Sequence, residues 1–124
     1  MKRLIAAGIL FVLVLAAYLT GHFYIKNTCD TAKELLNECI NAYETQNEAG
    51  SKAEKLKNYW TEKEKPLSFF ANHSEIDEIE LAISTLEIYS VTDSKELFSE
   101  YSGTVKTLLH QLVEDSVPNI HSIF

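Results

Sequence analysis

An uncharged apolar run near the start of the chain limits the possible folds more than any other feature. From Leu4 to Ile25 the sequence contains no Asp, Glu, Lys or Arg, and more than half of its residues are Leu, Ile, Val or Phe. Because a helix rises about 1.5 Å per residue, about 20 apolar residues cross the roughly 30 Å of hydrocarbon in a bilayer. The run therefore predicts a transmembrane helix over residues 4–25, with the lipid bilayer as its partner.

The charges that flank this run predict its orientation. Lys2 and Arg3 precede it, and Lys26 follows it. Since positive residues are retained on the cytoplasmic side, we expect residues 1–3 inside the cell and residues 26–124 outside, in a single-pass protein of the cell membrane. A cleaved secretory signal is the alternative. Residues 16–20 never place small side chains three and one positions before a cut, which favours an uncleaved anchor.

The segment beyond the run is acidic. Residues 26–124 carry nine of the 11 basic residues and all 18 acidic ones, so their formal charge is 9 − 18 = −9. Nucleic acid is therefore not an expected partner, because phosphate backbones bind cationic surfaces. At 124 residues the chain has room for one small outer domain, and not for separate cofactor and substrate domains.

Apolar residues in this segment recur every three or four positions, the spacing of amphipathic helices. The first stripe, from Cys29 to Tyr43, predicts that the membrane helix continues to about Glu48 and ends at Ala49-Gly50. A second helix is predicted from a capping box over Ser51 to Glu54 as far as the helix-breaking Pro66.

Two further helices follow. The third begins at a weaker capping box over Ser74 to Asp77, and the fourth begins after Asp93-Ser94 and continues to Pro118. Short amphipathic helices joined by short turns favour antiparallel hairpins. The predicted fold class is all-α, an N-terminal transmembrane helix followed by a small antiparallel helical bundle. The face of the third helix that we expect to be buried carries Ile76, Ile79, Ile83, Leu86 and Ser90, with Leu81 and Ile88 on another face.

Aromatic residues near the second turn form a candidate site. Trp60, Phe69 and Phe70 predict either a plug of the bundle core or the wall of a ligand cleft. A second apolar group follows Pro118, where Ile120 and Phe124 either fold back over the end of the bundle or dock a partner.

Polar residues beside these aromatics have the donor atoms that a divalent metal accepts. His73, Asp77 and Glu80 would share a face of a helix that began at His73, and His110 could complete the set. No H-E-x-x-H or C-x-x-C motif is present, so we predict no metal and no cofactor. His73 and Asp77 are retained as part of a candidate interaction or ligand surface.

Cys29 and Cys39 lie ten residues apart on one predicted helix, which separates their Cα atoms by about 15 Å. A disulfide spans about 7 Å at most, so the two cannot bridge within one chain. Either both are small buried residues, or they form an interchain disulfide in a parallel dimer.

No catalytic template is present, since the sequence has no G-x-S-x-G motif and no phosphate-binding glycine loop. Neighbouring carboxylates such as Glu62 and Glu64, or Glu114 and Asp115, lie on polar faces, where we expect no apolar surroundings to raise their pKa. We therefore predict that the protein is not an enzyme.

Several short motifs resemble a known family. The chain has a positively charged start, one span, Asn58-Tyr59-Trp60, the stretch from His73 to Asp77, and Asn119-Ile120 after a proline. In this arrangement it resembles the small bacterial membrane proteins grouped as domain of unknown function 4363. The resemblance implies a bacterial cell membrane location and a helical architecture, and it assigns no activity to particular residues.

These features favour a non-catalytic, membrane-anchored interaction module that docks onto another envelope or membrane protein or onto a second copy of itself. The alternative function is a small-ligand or metal sensor that uses the region of Trp60, Phe70 and His73. A hydrolase would need a nucleophile and a base that no motif here brings together.

Overall fold

The computed structural model describes residues 1–116, and this range forms four α-helices and no strand. The helices are α1 (Lys2–Glu44), α2 (Ala49–Leu67), α3 (His73–Ser90) and α4 (Lys95–Asp115). Each helix packs on the next and α4 packs back on α1, so the four close into an antiparallel bundle. The predicted all-α class, a long apolar N-terminal helix followed by a bundle, is confirmed. Ile120 and Phe124 lie outside the described residues.

α1 is one uninterrupted helix of 43 residues, about 64 Å long. Residues 1–20 are all exposed, and the first buried residue is Gly21. From there the buried positions follow the helical repeat to Ala42, so the second half of α1 forms one wall of the bundle. The prediction that the apolar helix continues into the outer helical segment is confirmed.

The core lies along the axis of the bundle and receives side chains from all four helices. On α3, the buried positions include Ile76 and Leu86, whereas Leu81 and Ile88 are exposed, as the spacing predicted. Burying one such aliphatic side chain contributes about 1.5 to 3 kcal/mol, so the shared core is the main source of stability. The largest enclosed side chains are Trp60, Ile25, Leu36, Leu56, Leu67, Ile76, Ile79, Ile83, Leu86, Leu109 and Leu112.

The turn between α1 and α2 differs from the prediction. α1 ends at Glu44, and Ala49-Gly50, which we expected to end it, begin α2. The chain reverses over residues 45–48, where Glu48 adopts a positive φ of 58°. Gly50 has a packing role, because a Cβ at this position would lie 2.7 Å from Val91 Cγ1 in the turn between α3 and α4.

Both predicted capping boxes are wrong. Ser51 lies inside α2, whose N-cap residue is Glu48 and makes no side-chain cap bond. α3 begins at His73, and its cap is Asn72, whose Oδ1 accepts a hydrogen bond of 2.9 Å from the Ser74 amide. Asn72 satisfies that free amide from outside the helix, which is why Ser74 is not needed as the cap.

Three other helix ends lie close to the predicted positions. α2 ends at Leu67 and includes Pro66 in its last turn, one residue beyond the predicted end. α4 ends at Asp115, three residues before Pro118. α4 begins at Lys95, directly after Ser94.

Candidate functional site

The junction between the bundle and the exposed part of α1 is the first functional feature. Phe70, in the turn between α2 and α3, covers Gly21 so closely that an added Cβ would lie 2.6 Å from Phe70 Cδ1. The ring of Phe70 also lies 6.0 Å from that of Tyr24, measured between centroids. At the same level the Tyr18 hydroxyl donates a 3.1 Å hydrogen bond to the carbonyl of Ser116. We call this end of the bundle, formed by Gly21, the α2–α3 turn and the end of α4, the base.

Trp60, Phe69 and Phe70 were predicted to form either a plug of the bundle core or the wall of a ligand cleft, and the structure separates them. Trp60 is fully buried, and its indole N–H donates a 3.3 Å hydrogen bond to the carbonyl of Ile76. Phe70 lies against α1, and Phe69 beside it is 79% exposed. Trp60 therefore packs in the core, as the first of these two interpretations predicted, whereas Phe69 and Phe70 belong to the base.

His73 and Asp77 are exposed on the first turns of α3. His110 lies on α4 and approaches Glu114, with 3.5 Å between Nε2 and Oε1. Within residues 1–116, no group of three or more His, Cys, Asp or Glu side chains is arranged to hold a metal ion.

Cys29 and Cys39 are free thiols enclosed in the bundle core. The Cys39 thiol donates a 3.6 Å hydrogen bond to the carbonyl of Ala49. Burial raises the pKa of Cys29 to about 12 and that of Cys39 to about 11, so both remain protonated at neutral pH. A disulfide to a second chain would require the bundle to open.

A pair of carboxyl groups meets across the boundary between α2 and α3. Burial, a hydrogen bond to Glu80 and the charges of Glu80 and Asp77 raise the pKa of Glu64 to about 7. When both groups are ionised, neither can donate a hydrogen bond to the other. Glu64 Oε1 is then shielded from solvent and has no hydrogen-bond partner among the described residues. The expectation that nothing raises the pKa of Glu64 is wrong, because the group is partly buried and because its neighbour in space is Glu80 and not Glu62.

A second pair of carboxyl groups lies at the base. Burial, a hydrogen bond to Asp115 and the charges of Asp115 and Glu78 raise the pKa of Glu75 to about 7. Perturbed carboxyl groups occur at functional sites and also in structural pairs. Both pairs here join neighbouring helices, so their direct effect is on the stability of the bundle.

Two connected depressions mark the end of the bundle that is remote from the apolar run. One, of about 250 Å³, lies between α1 and α4, and the other, of about 710 Å³, lies between the α1–α2 and α3–α4 turns. Tyr43, Glu44 and Lys95 line both. We call the two together the distal groove.

The distal groove has an aromatic wall with lysines beside it. The rings of Tyr43 and Phe98 stack with 3.9 Å between centroids, and the Tyr43 hydroxyl donates a 3.0 Å hydrogen bond to the carbonyl of Thr92. Lys95 and Lys106 line the groove from α4, and Glu44, Glu48 and Asp93 line it as well. The sequence placed Tyr43 and Phe98 on apolar stripes but missed the groove, because it depends on how α1 and α4 align.

The fold and these surfaces define a class of protein, a four-helix bundle in which one helix extends well beyond the others as an apolar rod. Residues 19–123 match the model of the family described as domain of unknown function (DUF4363). The match covers most of the chain, and the protein belongs to this family, which confirms the resemblance carried by the short motifs. No curated protein and no solved structure matches the chain.

Proposed function

We propose that the protein is a membrane-anchored, non-catalytic module whose bundle docks onto another membrane or envelope protein. The observation that carries the proposal is α1, in which residues 4–20 expose an apolar surface about 25 Å long. This length is close to the thickness of the hydrocarbon layer, and lipid would cover side chains that are otherwise costly to expose to water.

The proposed location is the bacterial cell membrane, with a single pass. Lys2 and Arg3 favour a cytoplasmic N-terminus, and the bundle is then extracytoplasmic. Along α1, Glu44 lies about 35 Å beyond Gly21, so the distal groove would stand clear of the lipid headgroups.

The distal groove is the proposed docking surface. Ile40 and Tyr43 supply apolar contact area because both are only partly buried, and the charged residues of the lining have both signs, with Lys95 and Lys106 beside Glu44, Glu48 and Asp93. This combination favours an amphipathic helix that carries both acidic and basic residues beside its apolar face, because such a helix matches both the shape and the charges of a groove between two helices.

Site-specific photo-crosslinking in membranes tests the docking proposal. A photoreactive amino acid replaces Ser99, which lines the groove, and a matched variant carries it at Leu81, an exposed position on α3. We expect a product of larger mass from the Ser99 variant alone. Products from the Leu81 variant alone would place docking on α3 and refute the groove. A product of twice the mass of the chain would identify a second copy, and no product from either variant would refute docking.

Cysteine labelling in intact cells tests the orientation. A cysteine inserted directly after Met1, which keeps Lys2 and Arg3, and Ser99→Cys introduce exposed thiols at the two ends of the protein, whereas Cys29 and Cys39 are enclosed. A membrane-impermeant maleimide should label the Ser99→Cys variant and not the variant with the inserted cysteine. The reverse pattern would contradict the proposed topology.

The alternative function, a small-ligand or metal sensor near Trp60, Phe70 and His73, stays a prediction. None of these residues lines either depression of the distal groove. A saturable change in Trp60 fluorescence on addition of Zn²⁺ would favour it, and an unchanged spectrum would count against a metal sensor.

A further inference from the structure

We infer that the turn between α2 and α3 makes a second membrane contact, in which Phe69 enters the interfacial layer of the bilayer that α1 crosses. The inference rests on the proposed anchoring of α1. A bundle that is tethered only by α1 could remain at a distance from the lipid, so the contact at Phe69 is additional to the anchor.

The depth of this turn is set by α1. Counted from Leu4, the roughly 20 residues that cross the hydrocarbon end near Phe23. Phe70 packs on Gly21, which is one of the residues expected to cross the hydrocarbon. No break interrupts α1 between its apolar stretch and the bundle, so the turn is held where the hydrocarbon meets the headgroups.

The contacts between the end of α4 and α1 indicate the same depth for the base, independently of the α2–α3 turn. The Tyr18 hydroxyl binds the carbonyl of Ser116, and His22 Nδ1 lies 2.7 Å from Ser116 Oγ. Two separate parts of the bundle therefore meet α1 between residues 18 and 22. The whole base, and not the turn alone, lies at the boundary of the predicted span.

The side chains on this edge have the chemistry of the interfacial layer. Phe69 is 79% exposed and Phe70 beside it is 45% exposed, and Phe23, at a similar height on α1, is 73% exposed. Aromatic side chains are favoured at membrane interfaces, and exposed aromatic rings are unfavourable in water. Insertion of Phe69 requires no repacking, because its ring makes little contact with the rest of the bundle.

Charged residues of both signs lie near this aromatic edge. Glu75 and Asp115 meet at the base, with Glu78 close to them. Lys65 is exposed in the last turn of α2, and Lys26 is exposed on α1 just beyond the base. Phosphatidylcholine, whose headgroup has no net charge, is therefore the lipid on which the aromatic contact is expected to form without help from either sign.

Quenching of tryptophan fluorescence by brominated lipid tests the inference on the full chain. The sole native tryptophan, Trp60, is enclosed in the core and gives a baseline that lipid-borne bromine does not reach. Three variants each add one tryptophan. Phe69→Trp reports on the turn, and Leu10→Trp reports on the span. Val91→Trp is the matched control, because Val91 is 75% exposed in the turn at the opposite end of α3, about 27 Å away.

In liposomes of phosphatidylcholine brominated near the glycerol end of the acyl chains, the added emission of Phe69→Trp and Leu10→Trp should fall by about twofold or more, while that of Val91→Trp is unchanged. If Phe69→Trp is no more quenched than Val91→Trp while Leu10→Trp is quenched, the anchor stands and the second contact is refuted. If Leu10→Trp is also unquenched, the anchoring itself fails. Blue-shifted but unquenched emission from Phe69→Trp would mean that protein covers this turn, which also overturns the inference.

Discussion

The pair formed by Glu64 and Glu80 predicts that removing a charge stabilises the bundle in a pH-dependent way. The pKa of Glu64 rises from its ordinary 4.5 to about 7 in the folded chain. Between these values the folded chain binds more protons than the unfolded chain, so the free energy of unfolding falls as pH rises and stays low above pH 7. Glu64→Gln removes the charge and supplies an amide that can donate to Glu80. The variant should therefore gain stability at high pH and gain little at low pH.

The size of the effect follows from the same pKa. A rise from 4.5 to about 7 corresponds to about 3 kcal/mol for a carboxyl group that is sealed from solvent. Glu64 is only partly buried, so solvent screening reduces the expected gain to about 1 kcal/mol. For a domain of this size, that gain raises the unfolding temperature by about 4 to 8 °C.

The assay is thermal unfolding of the full chain in neutral detergent micelles, followed by the fluorescence of Trp60, which reports on the bundle core. Glu64→Gln should raise the unfolding temperature by about 4 to 8 °C near pH 8 and leave it nearly unchanged near pH 4.5. Glu62→Gln, on the exposed side of the same helix, is the control for loss of a charge. An equal gain at both pH values, or a loss near pH 8, would refute the reasoning.

Two further predictions concern the packing of α1. Gly21→Val places a side chain where Phe70 lies and should destabilise the bundle by about 1 to 3 kcal/mol in urea unfolding. Gly8→Val, where an added Cβ meets nothing within 4 Å, should leave the unfolding midpoint unchanged, and equal effects would contradict the close contact. Because burial raises the pKa of both thiols, Cys39 should react with a disulfide reagent near pH 8.5 about 100-fold more slowly in the folded chain than in denaturant, and Cys29 about 1000-fold more slowly. On a non-reducing gel the oxidised protein should then run as a monomer, and a cysteine-dependent dimer would show that the thiols reach the surface.

The helices were predictable from the sequence because each carries its apolar residues at one clear spacing. This spacing predicted the buried face of α3 from Ile76 to Leu86 and the extension of α1 beyond the apolar run. The ends of the helices were less predictable where several residues compete to cap them. Asn72 replaced Ser74 as a cap, and Ala49 began a helix that the sequence placed two residues later.

The candidate surfaces were not predictable from spacing, because they form between helices that are distant in sequence. Glu64 meets Glu80 only through the alignment of α2 with α3, and the sequence offered Glu62 as its neighbour. Tyr43 and Phe98 were recognised as apolar positions, but their stacking across α1 and α4 needed the assembled bundle. A glycine at the end of an apolar run was the only signal of close packing at the base, and it did not identify Phe70 as the residue that covers it.

The unbroken course of α1 has a mechanical consequence. α1 has no break between residues 2–20 and the half that carries Tyr43. Rotation of residues 2–20 about the helix axis therefore rotates Tyr43 through the same angle. In the proposed membrane orientation, a contact of Phe69 with lipid would oppose tilting of α1 and leave rotation about its own axis as its free movement. A membrane protein bound to residues 4–20 would then change the orientation of the distal groove tens of ångströms away, and a ligand of the groove would act on residues 4–20 in return.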